Sequence, residues 1–211
     1  MAGWMAQRAP VPGDDDPDLG ALVDRARAGD GDAWTELYGR LAPAVAGYLR
    51  LRGARDPADL TSETFLGVFR NISGFSGTGP EFRSWVFVIA HRRLQDERRR
   101  AARRPVDPVG GGTGHLDGDR MAPGPGERAG HVEDDAFAAL EAAEIRDLCD
   151  RLAPDQADVL LLRILGDLTV DQVAAVVGKS AGAVKQLQRR GLAALRHMTT
   201  SGPYPSGVLR R

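Results

Sequence analysis

Apolar residues recur at helical spacing through most of this chain, and nothing in it reads as a sheet. From Asp30 to Leu51, the residues Ala33, Trp34, Leu37, Leu41, Val45, Tyr48 and Leu49 fall near one side of a helix, with a kink predicted at Pro43. A shorter amphipathic helix precedes it, Asp18 to Ala28, stopped by Gly29. Asp56-Pro57 predicts the next start, because Asp caps the free N–H groups and Pro, lacking one, fits the first turn. That helix is expected to reach Ile72 and to bury Leu60, Phe65, Leu66, Val68 and Phe69. A Gly-rich loop, Ser73 to Pro80, leads to a long helix from about Glu81 to Ala102, apolar through Phe82, Trp85, Val86 and Ile89 and then arginine-rich. Four more helices are predicted: Asp134 to Leu152, Pro154 to Leu165, Thr169 to Val177 and Ser180 to Met198.

Between the two sets, Arg103 to Val132 holds eight Gly and four Pro in 30 residues with almost no apolar periodicity. Such a segment is a flexible linker, spanning roughly 30 Å as a coil and about 100 Å extended. Its glycine run lacks the Lys-Ser/Thr and the flanking strand of a phosphate loop. The expected architecture is therefore all-α: two small helical domains, 18–102 and 134–198, joined by a Gly/Pro-rich linker at 103–133, with a disordered tail at 199–211.

Charge changes the picture more than composition does. The net value of −1 averages segments of opposite sign. Glu81 to Arg104 carries eight arginines against three acids, and Lys179 to Arg196 carries five basic residues and no acid. Glu133 to Asp158 carries nine acids against two arginines. Two basic blocks suggest two anion-binding surfaces, and the acidic block could mask them or sit in a basic channel of a partner. The single cysteine, Cys149, excludes an internal disulfide framework. No stretch approaches the roughly 20 apolar residues of a membrane span and none forms a signal core, so no membrane insertion and a cytoplasmic location are expected. Paired carboxylates, a nucleophile elbow and metal-ligand spacing among His91, His115, His131, His197 and Cys149 are all missing, so no catalytic residue, metal or cofactor is expected. Trp85 is expected to pack in the core, while Phe75, in the Gly-rich loop, could pack or stack on a base.

The sharpest local pattern runs from Leu168 to Arg190. Thr169 and Gln172 have capping-box spacing, Gly178 supplies a left-handed stop, and Ser180 caps the next helix. Two short helices across so tight a turn make a helix-turn-helix. On the second helix Val184, Leu187, Gly191, Ala194 and Leu195 fall on one side, and Gly182, Lys185, Gln186 and Arg189 on the other. Small residues at its start (Ala181, Gly182, Ala183) allow close approach to a duplex. Lys and Arg suit phosphates and guanine edges, and Gln suits adenine.

The run Asp56-Pro-Ala-Asp-Leu-Thr-Ser-Glu-Thr-Phe-Leu-Gly-Val-Phe-Arg70 resembles the polymerase-binding segment of extracytoplasmic-function (ECF) sigma factors. Phe82-Arg-Ser-Trp-Val-Phe-Val-Ile-Ala-His-Arg-Arg-Leu-Gln-Asp-Glu-Arg-Arg-Arg100 resembles the segment that opens and reads the −10 element. Leu152 to Arg163, followed by the helix-turn-helix, resembles the region that reads the −35 element. The resemblance implies that Asp59, Glu63, Phe65 and Arg70 face the clamp helices of the polymerase β′ subunit. It implies that the loop Ser73 to Pro80, with Ser76, cradles a flipped −10 base, and that Arg83, Arg92, Arg93, Asp96, Arg99 and Arg100 serve the −10 DNA. Ser180, Ala181, Gly182, Lys185, Gln186 and Arg189 would meet the −35 element. The implied partners are core RNA polymerase (β′ clamp helices and β flap), promoter DNA and an anti-sigma factor. The pattern departs from the family at Arg92, where many members carry Asn, and at Leu187-Gln188, which exchange the usual polar and apolar slots. The competing function is an autonomous helix-turn-helix regulator, separated from a sigma factor by whether DNA binding requires polymerase.

Overall fold

The computed structural model describes residues 17–103 and 143–201, and every described element is helical. The helices are α1 (Pro17–Arg27), α2 (Gly31–Leu51), α3 (Pro57–Asn71) and α4 (Gly79–Arg103), with a 3-10 turn at Ile72–Gly74 before α4. Then come α5 (residues 143–150), α6 (Pro154–Ile164), α7 (Val170–Val177) and α8 (Ala181–Ser201). The predicted linker beyond Arg103, the start of the predicted helix at 134–142 and the tail past 201 lie outside the described residues.

Local chemistry sets the boundaries. The Asp30 carboxylate accepts from the N–H groups of Asp32 and Ala33, and that of Asp56 accepts from Asp59, so both starts are held as their sequences predict. Helix α2 continues through Pro43, which sits on its exposed side. Helix α4 begins before Glu81, at Gly79, because Thr78 and Glu81 cap each other: the Thr78 N–H donates to Glu81 Oε2 at 2.8 Å. At the other end, α8 extends past Met198. The Thr199 hydroxyl donates to Leu195 O and that of Thr200 to Arg196 O, so the tail expected from Thr199 begins as helix.

Helix α3 corrects one expectation. Counting about 100° per residue from Leu60, the buried side chains Leu60, Thr61, Thr64, Phe65 and Val68 fill an arc of about 140°. Phe69 and Leu66 lie beyond it, at about 180° and 240°. They are 57% and 53% exposed instead of buried.

Residues 17–103 wrap α1, α2 and α3 around the apolar face of α4, with Tyr48, Phe82 and Phe87 fully enclosed. Helices α6 and α8 approach so closely that a Cβ on Gly191 would stand 2.8 Å from Leu160 Cδ1. The two sets of helices do not stand apart. One apolar cluster runs from Leu19 in α1 to Val184 in α8. Helices α6 and α7 close onto α2 and α4: a Cβ on Gly166 would lie 3.3 Å from Phe87 Cε2, and Gln172 Nε2 donates to Pro80 O at 3.2 Å.

Candidate nucleic-acid interface

The helix-turn-helix is held by three caps. Thr169 and Gln172 form a complete capping box at the start of α7, and Gly178 turns the chain at φ 66°. The Ser180 hydroxyl then accepts the N–H of Ala183 at 3.2 Å, opening α8. Val184 is fully buried, and Leu187 packs against the core, which orients the helix about its axis. Ser180, Gly182, Lys185, Gln186 and Arg189 consequently face solvent together, with Ala181 half-buried beside them. The face points outward with small residues leading and cations following, a shape able to enter a major groove.

Helix α4 presents a second face. Measured from Arg92, Asp96, Arg99, Arg100 and Arg103 all lie within about 80° of it on one side or 20° on the other. Asp96 pairs with Arg99, whose guanidinium holds the carboxyl below its usual range. Two of the expected arginines do not belong to this track. Arg83 falls about 180° round the helix from Arg92. Arg93 turns back across α3, its Nη1 donating to Glu63 Oε2 at 2.7 Å, over Gly67, where a Cβ would come within 3.0 Å of its guanidinium. Toward the N-terminal end the track passes Ile89 and Trp85 to the Gly-rich loop. Phe75 is buried there, stacked on Trp85 with ring centroids 5.2 Å apart and edge-on to Phe82 at 5.3 Å. Phe75 therefore props the loop from inside, and Ser76, Gly77 and Thr78 form its exposed rim.

A third surface runs along α3. Asp59, Glu63, Leu66 and Arg70 share a stripe about 60° wide. Phe65, expected on this stripe, lies about 100° away from Leu66, 4% exposed, its ring edge-on to Tyr38 at 4.8 Å. Phe65 is a support. Its place on the surface is taken by Leu66 and Phe69, the latter edge-on to Trp34 of α2 at 5.0 Å. With the half-exposed Tyr38 they form an apolar patch rimmed by charge.

Comparison with known proteins gives these surfaces a common origin. Residues 37–104 match the family model for Sigma-70 region 2, and residues 149–197 match that for Sigma-70, region 4. The chain is 34% identical over 190 residues to the ECF RNA polymerase sigma factor BldN of Streptomyces coelicolor, covering 89% of this chain and 68% of that protein. It is 32% identical over 185 residues to the ECF RNA polymerase sigma factor ShbA of Streptomyces griseus, covering 84% of this chain and 93% of that one. The chain belongs to the ECF sigma factors. Its fold is also that of CnrH in a structure with the cytosolic domain of CnrY, at TM-score 0.60 and 23% identity, covering 88% of this chain and 99% of CnrH. As a family member it is an alternative sigma factor, directing transcription initiation through regions 2 and 4. No described helix is long and apolar enough to cross a membrane.

Sequence reasoning missed one site in this sigma factor, a buried polar junction where region 4 meets region 2. Arg52 Nε donates to Asp158 Oδ1 at 2.6 Å and its Nη2 to Oδ2 at 3.2 Å. The Tyr48 hydroxyl donates to the same Oδ1 at 2.9 Å and lies 2.7 Å from His91 Nδ1. With that proton committed to Asp158, His91 Nδ1–H donates to the Tyr48 oxygen. Arg52 Nη2 reaches Pro154 O at 3.2 Å, and Arg98 donates to Arg52 O from behind. Of the acidic stretch considered as a mask, Asp155 pairs with Lys179 at 2.9 Å and Asp158 is this junction, while residues 133–142 lie outside the described residues.

Burial holds the His91 pKa below 6.5, with Arg98 and Arg52 adding to the effect and Asp158 and Asp155 opposing it. A lowered folded-state pKa gives stability that is complete above the unfolded value and is lost as pH falls through it toward the folded value. The urea midpoint of the protein should therefore fall between about pH 7.5 and 5.5. The same titration on His91→Gln should show a shallower fall, and an equal slope in both would remove His91 as the cause.

Proposed function

We propose that the three outward surfaces divide the work of initiation. Lys185, Gln186 and Arg189, with the small N-terminal turn of α8, read the −35 element. Arg92, Asp96, Arg99 and Arg100 line the −10 DNA, with Ser76 on the rim of a base-capturing loop. Asp59, Glu63 and Arg70, with Leu66 and Phe69 as apolar anchors, dock on the β′ clamp helices of core polymerase, and region 4 engages the β flap. Arg93 and Phe65 support these faces from beneath.

The observation that carries this reading is the side-by-side exposure of a cationic recognition helix, an arginine track and a charge-rimmed apolar patch on one protein. Cations in register with phosphates position a duplex, and apolar patches with charged rims are what protein partners bury. On this reading the protein is a non-enzymatic subunit that works in the cytoplasm, where polymerase and promoter are. Membership of the family supports control by an anti-sigma factor. CnrH, captured with the cytosolic domain of CnrY, illustrates such a complex on the same fold.

Run-off transcription from a promoter library, with core polymerase present and this protein added or omitted, tests the assignment. Initiation that requires the protein and selects two conserved boxes is the expected result. Tight sequence-specific binding by the protein alone, with no initiation by active core, would replace it with an autonomous regulator.

A further inference from the structure

The contact between regions 2 and 4 has the chemistry of a reversible latch. The Arg52 and Asp158 side chains are 7% and 6% exposed, and they come from segments 106 residues apart in the chain. Three donors converge on one carboxylate: Arg52 Nε, Arg52 Nη2 and the Tyr48 hydroxyl. Around it, Leu165 packs over Gly47, Gly166 lies against Phe87, Gln172 reaches Pro80 O, and Arg146 donates to Arg50 O. A buried ion pair fixes register but adds little net stability, since both ions recover water when the faces part. An apolar seam of the same extent would resist opening far more. The seam therefore combines a single well-defined closed geometry with a modest barrier to separation.

That closed geometry conflicts with the reading of two promoter elements, on which this inference rests. Elements centred near −35 and −10 are separated by about 25 base pairs, some 85 Å of duplex at about 3.4 Å per pair. A compact body of about 150 residues has a radius of gyration of about 15 Å and is roughly 40 Å across. With α6 and α7 seated on α2 and α4, the two DNA faces cannot reach both elements.

We propose that the free protein rests in this closed state, autoinhibited by the Asp158–Arg52–Tyr48 latch, and that engagement of polymerase and promoter requires the latch to open. Closure leaves the recognition face of α8 and the α3 stripe exposed, so either partner can make first contact before the regions part.

The test uses the full chain with Cys149 replaced by Ala and fluorophores at Ser62→Cys and Ala193→Cys, both exposed positions. The otherwise wild-type protein should show one short inter-label distance. Asp158→Ala leaves Arg52 unpaired in the closed form, so it should shift the population to long distances. It should also lower the apparent Kd for promoter in the presence of core by about 10-fold, as expected when a minor competent state becomes a major one. Far-UV circular dichroism of the variant checks that its helices persist. A second variant locks the seam: Gly47→Cys with Leu165→Cys, where a Cβ on Gly47 stands 3.5 Å from Leu165 Cδ1. Oxidised, it should initiate at least about 10-fold less than after reduction. Long distances in the parent protein, an Asp158→Ala distance distribution identical to it, or equal initiation by oxidised and reduced crosslink would each overturn the latch. Loss of polymerase dependence would instead strike the sigma assignment, because the distance measurement involves no polymerase.

Discussion

Phe69→Asp is expected to remove most of the affinity of this sigma factor for core polymerase while leaving its fold intact. Phe69 is exposed on α3 and its ring touches only the edge of Trp34 among the aromatic contacts, so the core loses little when it changes. An exposed aromatic beside Leu66, Tyr38 and a ring of charge is the composition of an interface anchor. Truncating such anchors costs about 2–4 kcal/mol, or about 30- to 1,000-fold in Kd, and a carboxylate driven into an apolar contact adds to that. Titration of labelled core against wild type and variant measures the loss, and thermal unfolding within about 2 °C of wild type establishes an intact fold. Phe65→Asp makes the internal control: its ring lies in the core beneath Tyr38, so that change should unfold region 2 outright. A Phe69→Asp protein that binds core as wild type does would move the docking surface off this part of α3.

The contrast between Phe65 and Phe69 shows what a sequence pattern can and cannot resolve. Hydrophobicity marks both as candidates for burial, and only the angular arc set by Leu60, Thr61, Thr64 and Val68 separates the residue facing the protein's own core from one left for a partner. The helix-turn-helix was fully legible because its boundaries are written in local hydrogen-bonding chemistry: Thr169 with Gln172, Gly178, then Ser180. The same capping spacing at Thr78 and Glu81 sets the start of α4, but the glycines around it gave the segment the look of a loop. The seam between regions is a contact of long sequence separation, and no local rule reports it. One trace did exist. Ala157 to Leu162 are all buried, and a helix apolar on nearly every side has neighbours on both: Leu160 meets Gly191 of α8, while Asp158 meets Arg52 of α2. Within an acidic stretch Asp158 looked like one more solvated charge, and its flanking Ala157 and Val159 were the sign that it is not.

The recognition helix offers the second large effect, and its geometry separates two kinds of loss. From Gly182, Arg189 lies about 10 Å along the axis at about 1.5 Å per residue, and Arg196 about 21 Å. A major groove about 12 Å wide admits the first and leaves the second over the backbone. Both side chains are exposed on the same side of α8 as Lys185 and Gln186. Arg189→Ala should therefore cost holoenzyme about 1–3 kcal/mol, or about 5- to 150-fold, on its best −35 sequence and flatten preference at one base position. Gln186→Ala should flatten preference at another. Arg196→Ala should weaken all −35 sequences alike and reduce the salt dependence by about one counterion. Selection on a library randomised through the −35 box, at two salt concentrations, distinguishes the outcomes. If Arg189→Ala lowered every sequence equally, as a phosphate contact would, then base reading in this sigma factor would rest on the first two turns of α8. Lys185 and Gln186 would carry it, behind the small Ala181-Gly182-Ala183 approach that lets them reach the groove floor.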